Sequence, residues 1–309
     1  MRSDWLVGFL SSSGPTAQAP HPIPDLPEVE GVEHRFVDAD GLRVHVAEAG
    51  EGPPVLLLHG WPQHWYMWRG VIERLAPQFR LIAPDLRGFG WTEAPGGGYD
   101  ADTFARDQVA LLDALEIESA SVIGHDWGGW TAFMLGLNHA EHIDRMVICN
   151  DPHPWPQLQP RLALETWRSW YALLNATPGL GSLAHQRGRY VTEILRRLSA
   201  AGTFSEQEIE SYVESYRDPQ RAAAASGLYR YYWRAFVKSL RGGWRSQQLS
   251  VPTLLLFGKR DRMIPHGLVA TGYERNAPEM EVELISDAGH FLVDEKPDLV
   301  ARRALAFLS

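Results

Sequence analysis

Cysteine is almost missing: Cys149 is the only one in 309 residues, so no intramolecular disulfide can form. That usage fits a reducing compartment, and cytoplasmic residence is the expectation. Long hydrophobic runs are missing too, since no stretch approaches the ~18 apolar residues that a membrane span needs. The run Trp5 to Leu10 follows Asp4 and is too short, and too acidic at its head, for a secretory signal. Basic charge is scarce: 29 Lys and Arg face 38 Asp and Glu, for a formal net charge of −9. Such a balance argues against nucleic acid as a partner, which would favour a basic surface. No Gly-rich phosphate loop follows a strand, and His139 and His142 lie three apart without further ligands at metal spacing. Neither metal nor cofactor is therefore expected. A small molecule and water remain as partners, with a homodimer left open.

What is present is an ordinary globular composition, 45% hydrophobic and 22% charged. Twelve Trp is a high count, and Trp in such numbers lines a core or an apolar pocket. Residues 11 to 27 are rich in Ser, Pro, Ala and Gly, so 1–27 reads as a loosely ordered leader. Short apolar runs then end at turn residues: Val55 to Leu58 at His59-Gly60, Leu81 to Ala83 at Pro84-Asp85, Ser121 to Ile123 at Gly124-His125-Asp126, and Met146 to Cys149 at Asn150-Asp151. Helical spacing separates them over 67–77, 101–116 and 129–140. This alternation predicts an α/β fold with a mostly parallel, doubly wound sheet. Residues 33–37 and 42–48 flank the turn Asp38-Ala39-Asp40-Gly41, the mark of an antiparallel hairpin.

From Pro152 to about Ser250 the rhythm breaks into a strand-free stretch dense in Trp, Tyr, Arg and Ala. It resumes at Thr253 to Phe257 and Val282 to Ile285, and a last amphipathic helix covers about 297–308. A core of 28–151 and 251–309, interrupted by a helical lid over 152–250, is the expected organisation.

The informative residues fall at strand ends, where open α/β sheets bind ligands. Gly124-His125-Asp126-Trp127-Gly128-Gly129 has the G-x-Nu-x-G spacing of a nucleophile elbow, with Asp as the nucleophile. The bland alternative is an Asp that caps a helix beside turn glycines. A carboxylate that attacks sp³ carbon forms an alkyl ester on the protein, and water then cleaves that ester at its carbonyl. Asp at this position thus points to electrophilic alkyl carbons, in epoxides or alkyl halides. Downstream, Asp261 follows the strand ending Phe257-Gly258, and His290 follows the last strand in Asp287-Ala288-Gly289-His290-Phe291. Asp126, Asp261 and His290 therefore stand in the chain order nucleophile, acid, base. His59-Gly60-Trp61-Pro62 follows the first core strand, and the N–H groups of Trp61 and Trp127 would form an oxyanion hole. Asp151 is an alternative acid, with a turn or helix cap as its simpler role.

Together, Gly124-His-Asp-Trp-Gly-Gly129, His59-Gly-Trp-Pro62, Asp85-Leu-Arg-Gly-Phe-Gly90 and Asp287-Ala-Gly-His290 resemble the epoxide hydrolase and haloalkane dehalogenase branch of the α/β-hydrolase superfamily. The resemblance covers roughly residues 30–309. It implies an α/β-hydrolase fold and two lid tyrosines that protonate the epoxide oxygen. One lies seven residues before a Pro-Gly, matching Tyr171 before Pro178-Gly179; the other precedes an Arg near the lid's end, matching Tyr229-Arg230. Tyr231 and Tyr232 leave room for a slip of register. Haloalkane dehalogenases of the branch hold halide with two N–H donors, the indole after the nucleophile plus an Asn or a second Trp. Here that Asn position is Trp61, while Trp155, Trp167, Trp170 or Trp233 remain as sources of an indole. Fluoroacetate dehalogenases carry Arg directly after the nucleophile, where this chain has Trp127. His153, Trp170 and Phe291 are expected to line an apolar pocket. An epoxide hydrolase is the favoured expectation, a dehalogenase the second, and a silent ligand-binding member of the fold the third.

Overall fold

A computed structural model of the chain describes residues 24–157, 168 and 170–309. Most of the expected leader, residues 1–23, and the lid residue Trp167 lie outside the described residues. The described strands form one sheet in the order β1-β2-β4-β3-β5-β6-β7-β8. β1 (Glu33–Ala39) and β2 (Leu42–Ala49) make the antiparallel hairpin, with Ala39 opposite Leu42. Asp40 and Gly41 both have positive φ, 51° and 81°, as a tight hairpin turn of this twist requires. β2 pairs antiparallel with β4 (Arg80–Pro84). From β4 onward, β3 (Pro54–Leu58), β5 (Ala120–His125), β6 (Ile143–Cys149), β7 (Thr253–Gly258) and β8 (Met280–Ile285) all run parallel. The central strands β5 and β7 are buried along their whole length, which explains their unbroken apolar sequences.

Helices α1 (Arg69–Leu75), α2 (Ala101–Ala114) and α3 (Trp127–Asn138) connect the first parallel strands. α2 begins where the Asp100 side chain accepts from the Thr103 N–H. Between β6 and β7 the described residues form helices without strands: α4 (Trp170–Ala176), α5 (Leu180–Gln186), α6 (Arg189–Leu198), α7 (Glu206–Ser215) and α8 (Pro219–Leu240). Their starts are legible in the residues. Ser205 and Glu208 form a capping box on α7, and Asp218 caps α8 with Pro219 in its first turn. This helical layer is tied to the sheet by Arg221, whose Nε and Nη2 donate to the carbonyls of Gly90 (2.6 Å) and Thr92 (3.2 Å). After β8 come α9 (Leu292–Glu295), a short turn absent from the sequence expectation, and α10 (Pro297–Leu308). Among the described residues no helix is long and apolar enough to cross a membrane.

Strand order places the site. β4 lies on one side of β3 and β5 on the other, so the chain leaves the ends of β3 and β5 in opposite directions and opens a crevice between them. The first turn of α3 is pressed against the end of β3: a Cβ on Gly128 would stand 1.9 Å from the Leu58 carbonyl oxygen. Only glycine fits that contact without moving backbone. Gly128→Ala is accordingly expected to cost about 2–3 kcal/mol or more, as overpacking against rigid structure does. A thermal melt checks this, and an unchanged midpoint would contradict the close packing of strand and helix.

Candidate active site

Asp126 sits between β5 and α3 with φ 50° and ψ −120°, a conformation that costs a residue with a Cβ of order 1–3 kcal/mol. It occupies the N-cap position, yet its side chain makes no capping hydrogen bond. The helix-cap alternative therefore does not describe it. The carboxylate turns into the crevice instead, where Oδ1 accepts from the Trp61 backbone N–H at 2.8 Å. This approach depends on Gly60, because a Cβ there would lie 2.4 Å from the Asp126 Cβ. Trp127 opens α3 directly behind the carboxylate, and the helix N-terminus favours negative charge there.

The other two residues of the expected trio come to the same point. His290 Nε2 lies 3.5 Å from Asp126 Oδ2, and its Nδ1 donates to Asp261 Oδ2 at 2.9 Å. Asp261 is held from every side. Its Oδ1 accepts from the N–H groups of Met263 (2.7 Å) and Ile264 (2.8 Å), and its Oδ2 also accepts from Asn150 Nδ2 at 2.9 Å. Burial alone would raise the Asp261 carboxyl, but His290 and these donors outweigh it and hold it below the usual carboxylate range. Burial likewise opposes a charged His290. The carboxylates of Asp261 and Asp126 overcome that penalty and raise its pKa to about 10.

Two supporting residues escaped the sequence reading. Asn150 stands at the end of β6 with φ 48°, donates through Nδ2 to Asp261 and to the Gly289 carbonyl (3.1 Å), and accepts from the Gly258 N–H at 3.3 Å. It clamps the loops that carry the acid and the base. An Asn directly after a strand was the available signal, since Asn tolerates left-handed backbone better than most residues. His125 Nε2 donates to the His290 carbonyl at 2.8 Å; burial lowers its pKa to about 4, so it is a neutral strut.

The insertion contributes a wall of aromatic rings. Trp61 lies parallel to Tyr171, with centroids 6.0 Å apart and 6° between planes, and edge-on to Tyr229 at 5.2 Å and 87°. Tyr171 and Tyr229 meet edge to face at 5.8 Å, and Trp127 faces Tyr229 at 5.9 Å. Both phenols are buried, which keeps their protons on: burial first, then the neighbouring phenols and the Asp126 charge, push each well above the ordinary tyrosine range. The neighbours of Tyr229 point partly elsewhere. The Tyr231 hydroxyl donates to Asp102 at 3.4 Å, whereas the Tyr232 ring stacks on Phe236.

The remaining expected residues divide. Phe291 is fully buried against His290, at 5.1 Å, and His125. Trp170 is 40% exposed and meets Tyr171 and Tyr190 edge-on. Among the described residues His153 meets Trp155, Tyr273 and the backbone of Val269 and Thr271. Asp151 has neither a turn nor a cap role for its Oδ2, which is buried with no partner among the described residues. Burial, then the charge of Asp126, raises its pKa well above the usual carboxylate range. It is not the residue that touches His290; Asp261 is.

Two of the indoles left as sources of a halide donor, Trp155 and Trp233, have protein acceptors, and so does that of Trp61. Trp61 Nε1 donates to His185 Nε2 at 2.9 Å, Trp155 Nε1 to the Trp244 carbonyl at 2.8 Å, and Trp233 Nε1 to the Ala172 carbonyl at 3.4 Å.

With β5 leading into such an elbow and a second acid and an imidazole arriving from β7 and β8, the class is defined by the family model for the alpha/beta hydrolase fold, which matches residues 53–297. The chain belongs to that family and is a hydrolase. Among particular relatives it is similar to the soluble epoxide hydrolase of Corynebacterium sp. (strain C12), 31% identical over 290 residues that cover 90% of this chain and 98% of that one. Among solved structures it is similar to Cfl2 of Burkholderia cenocepacia (TM-score 0.82, 29% identity, 92% of this chain and 98% of the other). It is also similar to the epoxide hydrolase VrEH1 of Vigna radiata (TM-score 0.76, 29% identity, 90% and 98%).

The position of His290 between two carboxylates carries a pH signature. Its raised pKa means that its contribution to stability is complete below the ordinary value of 6.5 and is lost as the pH rises through about 10. Asp126→Asn deletes one of the two charges, so the His290 imidazole should titrate at a lower pH in that variant than in the wild type. Imidazole NMR titration of both proteins checks this; equal midpoints would contradict the electrostatic coupling.

Proposed function

We propose that the chain is an epoxide hydrolase that forms a covalent ester on Asp126. The observation that carries this reading is the Asp126 carboxylate itself, strained at the elbow, held by the Trp61 N–H and faced by His290. In the first half-reaction Asp126 attacks an epoxide carbon and the ring C–O bond breaks. The electron pair goes to the ring oxygen, which takes a proton from Tyr171 or Tyr229. Neutral, buried phenols suit this role, because the departing alkoxide needs a donor at neutral pH.

Esterification then removes the negative charge beside His290. One of the influences that raised its pKa vanishes, so the imidazolium gives up its proton, which restores the phenol. The neutral ring, oriented by Asp261 through Nδ1, is left with Nε2 available to take a proton from water. The hydroxide attacks the ester carbonyl of Asp126, and the N–H groups of Trp61 and Trp127 receive the oxyanion. Collapse breaks the acyl C–O bond, the departing alkoxide takes the proton of the added hydroxyl, and a vicinal diol leaves with the Asp126 carboxylate and the His290 imidazolium restored. Epoxide and water are consumed in equal amounts, and no step calls on a cofactor.

Residues 152–250 act here as the lid, and its rings favour an apolar substrate, with Trp170 and Phe291 at the pocket's margin. With Cys149 as the lone thiol, the cytoplasm is the proposed location. The likeness to the soluble epoxide hydrolase of Corynebacterium supports the choice of substrate class. Dehalogenation is disfavoured because Trp61, Trp155 and Trp233 direct their indole N–H groups at protein acceptors instead of a halide.

Asp126→Asn is expected to abolish diol formation from styrene oxide. Tyr171→Phe combined with Tyr229→Phe should slow ring opening by about 10²- to 10⁴-fold, the usual worth of a general acid. Full activity in the double variant would remove the tyrosines from the mechanism. Halide release from a bromoalkane, with no turnover of styrene oxide, would select the dehalogenase reading.

A further inference from the structure

Trp61 works at both ends. Its backbone N–H donates to Asp126 Oδ1, while its ring is bracketed by Tyr171, Tyr190 and Tyr229. The far edge of that ring is fixed by one bond, from Nε1 to His185 Nε2 at 2.9 Å. His185 is fully buried on α5, and its other nitrogen, Nδ1, lies 2.7 Å from the Gly181 carbonyl. A carbonyl can only accept, so Nδ1 carries the proton and Nε2 presents a bare lone pair. An indole N–H, which only donates, needs that lone pair. The tautomer is thus set within α5, and burial keeps the ring neutral, its pKa lowered to about 4. Edge contacts with Trp61 (5.7 Å) and Tyr190 (5.6 Å) and a tilted contact with Tyr216 (5.1 Å) leave the imidazole little freedom to turn.

We propose that His185 is a positioning residue: by accepting the Trp61 indole N–H it fixes the residue whose amide faces the nucleophile and whose ring lies parallel to Tyr171. The role rests on the proposed function for the chemistry it serves, but the hydrogen bond itself does not. Without an acceptor at 185 the buried indole N–H must turn or recruit water. Either response tilts the ring and shifts the amide that receives the oxyanion. A misplacement of ~1 Å in such a group costs about 10²-fold in rate, so the loss should fall on the hydrolysis of the enzyme ester more than on substrate binding.

The test compares wild type with His185→Leu, which fills the space without an acceptor, and His185→Gln, whose Oε1 can replace Nε2. Single-turnover experiments with styrene oxide follow formation and decay of the Asp126 ester by intact-protein mass spectrometry. His185→Leu is expected to slow ester decay about 10- to 100-fold, with kcat and KM for styrene oxide falling together, kcat/KM moving less than ~3-fold and the ester accumulating. His185→Gln should recover most of the wild-type rate. In ¹⁵N-labelled protein the Trp61 indole N–H resonance, assigned by its loss in Trp61→Phe, should be downfield in wild type and His185→Gln and move upfield in His185→Leu. Where His185→Leu does not fold, Trp61→Phe carries the same test, since it deletes the indole donor, keeps the amide and should show the same slow decay. The proposal is overturned by wild-type ester decay in His185→Leu or in Trp61→Phe, by an equal deficit in His185→Gln and His185→Leu, or by an indole resonance indifferent to residue 185. If the wild type opens no epoxide, the ester is formed from a bromoalkane and the same rates are read. That outcome sinks the epoxide assignment and leaves the positioning role to stand or fall by itself.

Discussion

Two carboxylates and one imidazole share a space from which water is almost excluded. Burying charge is expensive unless every charge finds partners, and the arrangement around Asp261 is a full answer to that constraint: two backbone N–H groups, Asn150 and His290 saturate its two oxygens. Asp126 is treated differently. One oxygen has the Trp61 N–H; the other faces His290 at 3.5 Å, longer than a hydrogen bond, and the helix behind it offers only its N-terminal field. The two acids of one pair are therefore unequal, one immobilised as a permanent anion and the other left under-satisfied and strained. In the proposed reaction this under-satisfied carboxylate is the group that attacks the substrate.

The same dryness sets the state of the lid. Low polarity around Tyr171 and Tyr229 keeps them protonated, and it strengthens the field that Asp126 exerts on His290. Below the site, Asp85 accepts from the N–H groups of Trp65 and Trp91 and pairs with His45 at 2.8 Å, so the Asp85–Gly90 motif is scaffold and not chemistry. Through the Gly90 and Thr92 carbonyls that scaffold also receives Arg221 from α8, which connects the helical layer to the loop after β4. The insertion is thus anchored to the core at the motif beside the site, and not only through its own chain connections.

Much of this was legible in the residues. The fully buried strands β5 and β7 read as apolar runs, and Asp126 and Asp261 each follow one within a few positions, while His290 follows the alternating strand β8, so the candidate residues are found at strand ends. Local signals also gave the hairpin at Asp40-Gly41 and the glycines of the turn around Asp126. What was not legible depends on partners far away in the chain. His185 lies 124 residues from Trp61 in sequence, and Asn150 lies 111 from Asp261; no local pattern announces either bond. Asp151 shows the reverse failure. Its turn-like neighbourhood suggested a capping residue, whereas the fold buries it beside Gly129 with an oxygen lacking a partner among the described residues. His153 packs on Tyr273 and Trp155, contacts that its local sequence does not announce.

The account stands on the covalent role of one side chain, and isotope labelling reads it directly. In a single turnover with excess enzyme in ¹⁸O-water, the first diol should carry only unlabelled oxygen, drawn from the Asp126 carboxylate and the epoxide. The label should then appear in the peptide that contains Asp126. Diol bearing ¹⁸O from the first turnover, with residue 126 unlabelled, would show that water attacks the substrate itself and would contradict the account.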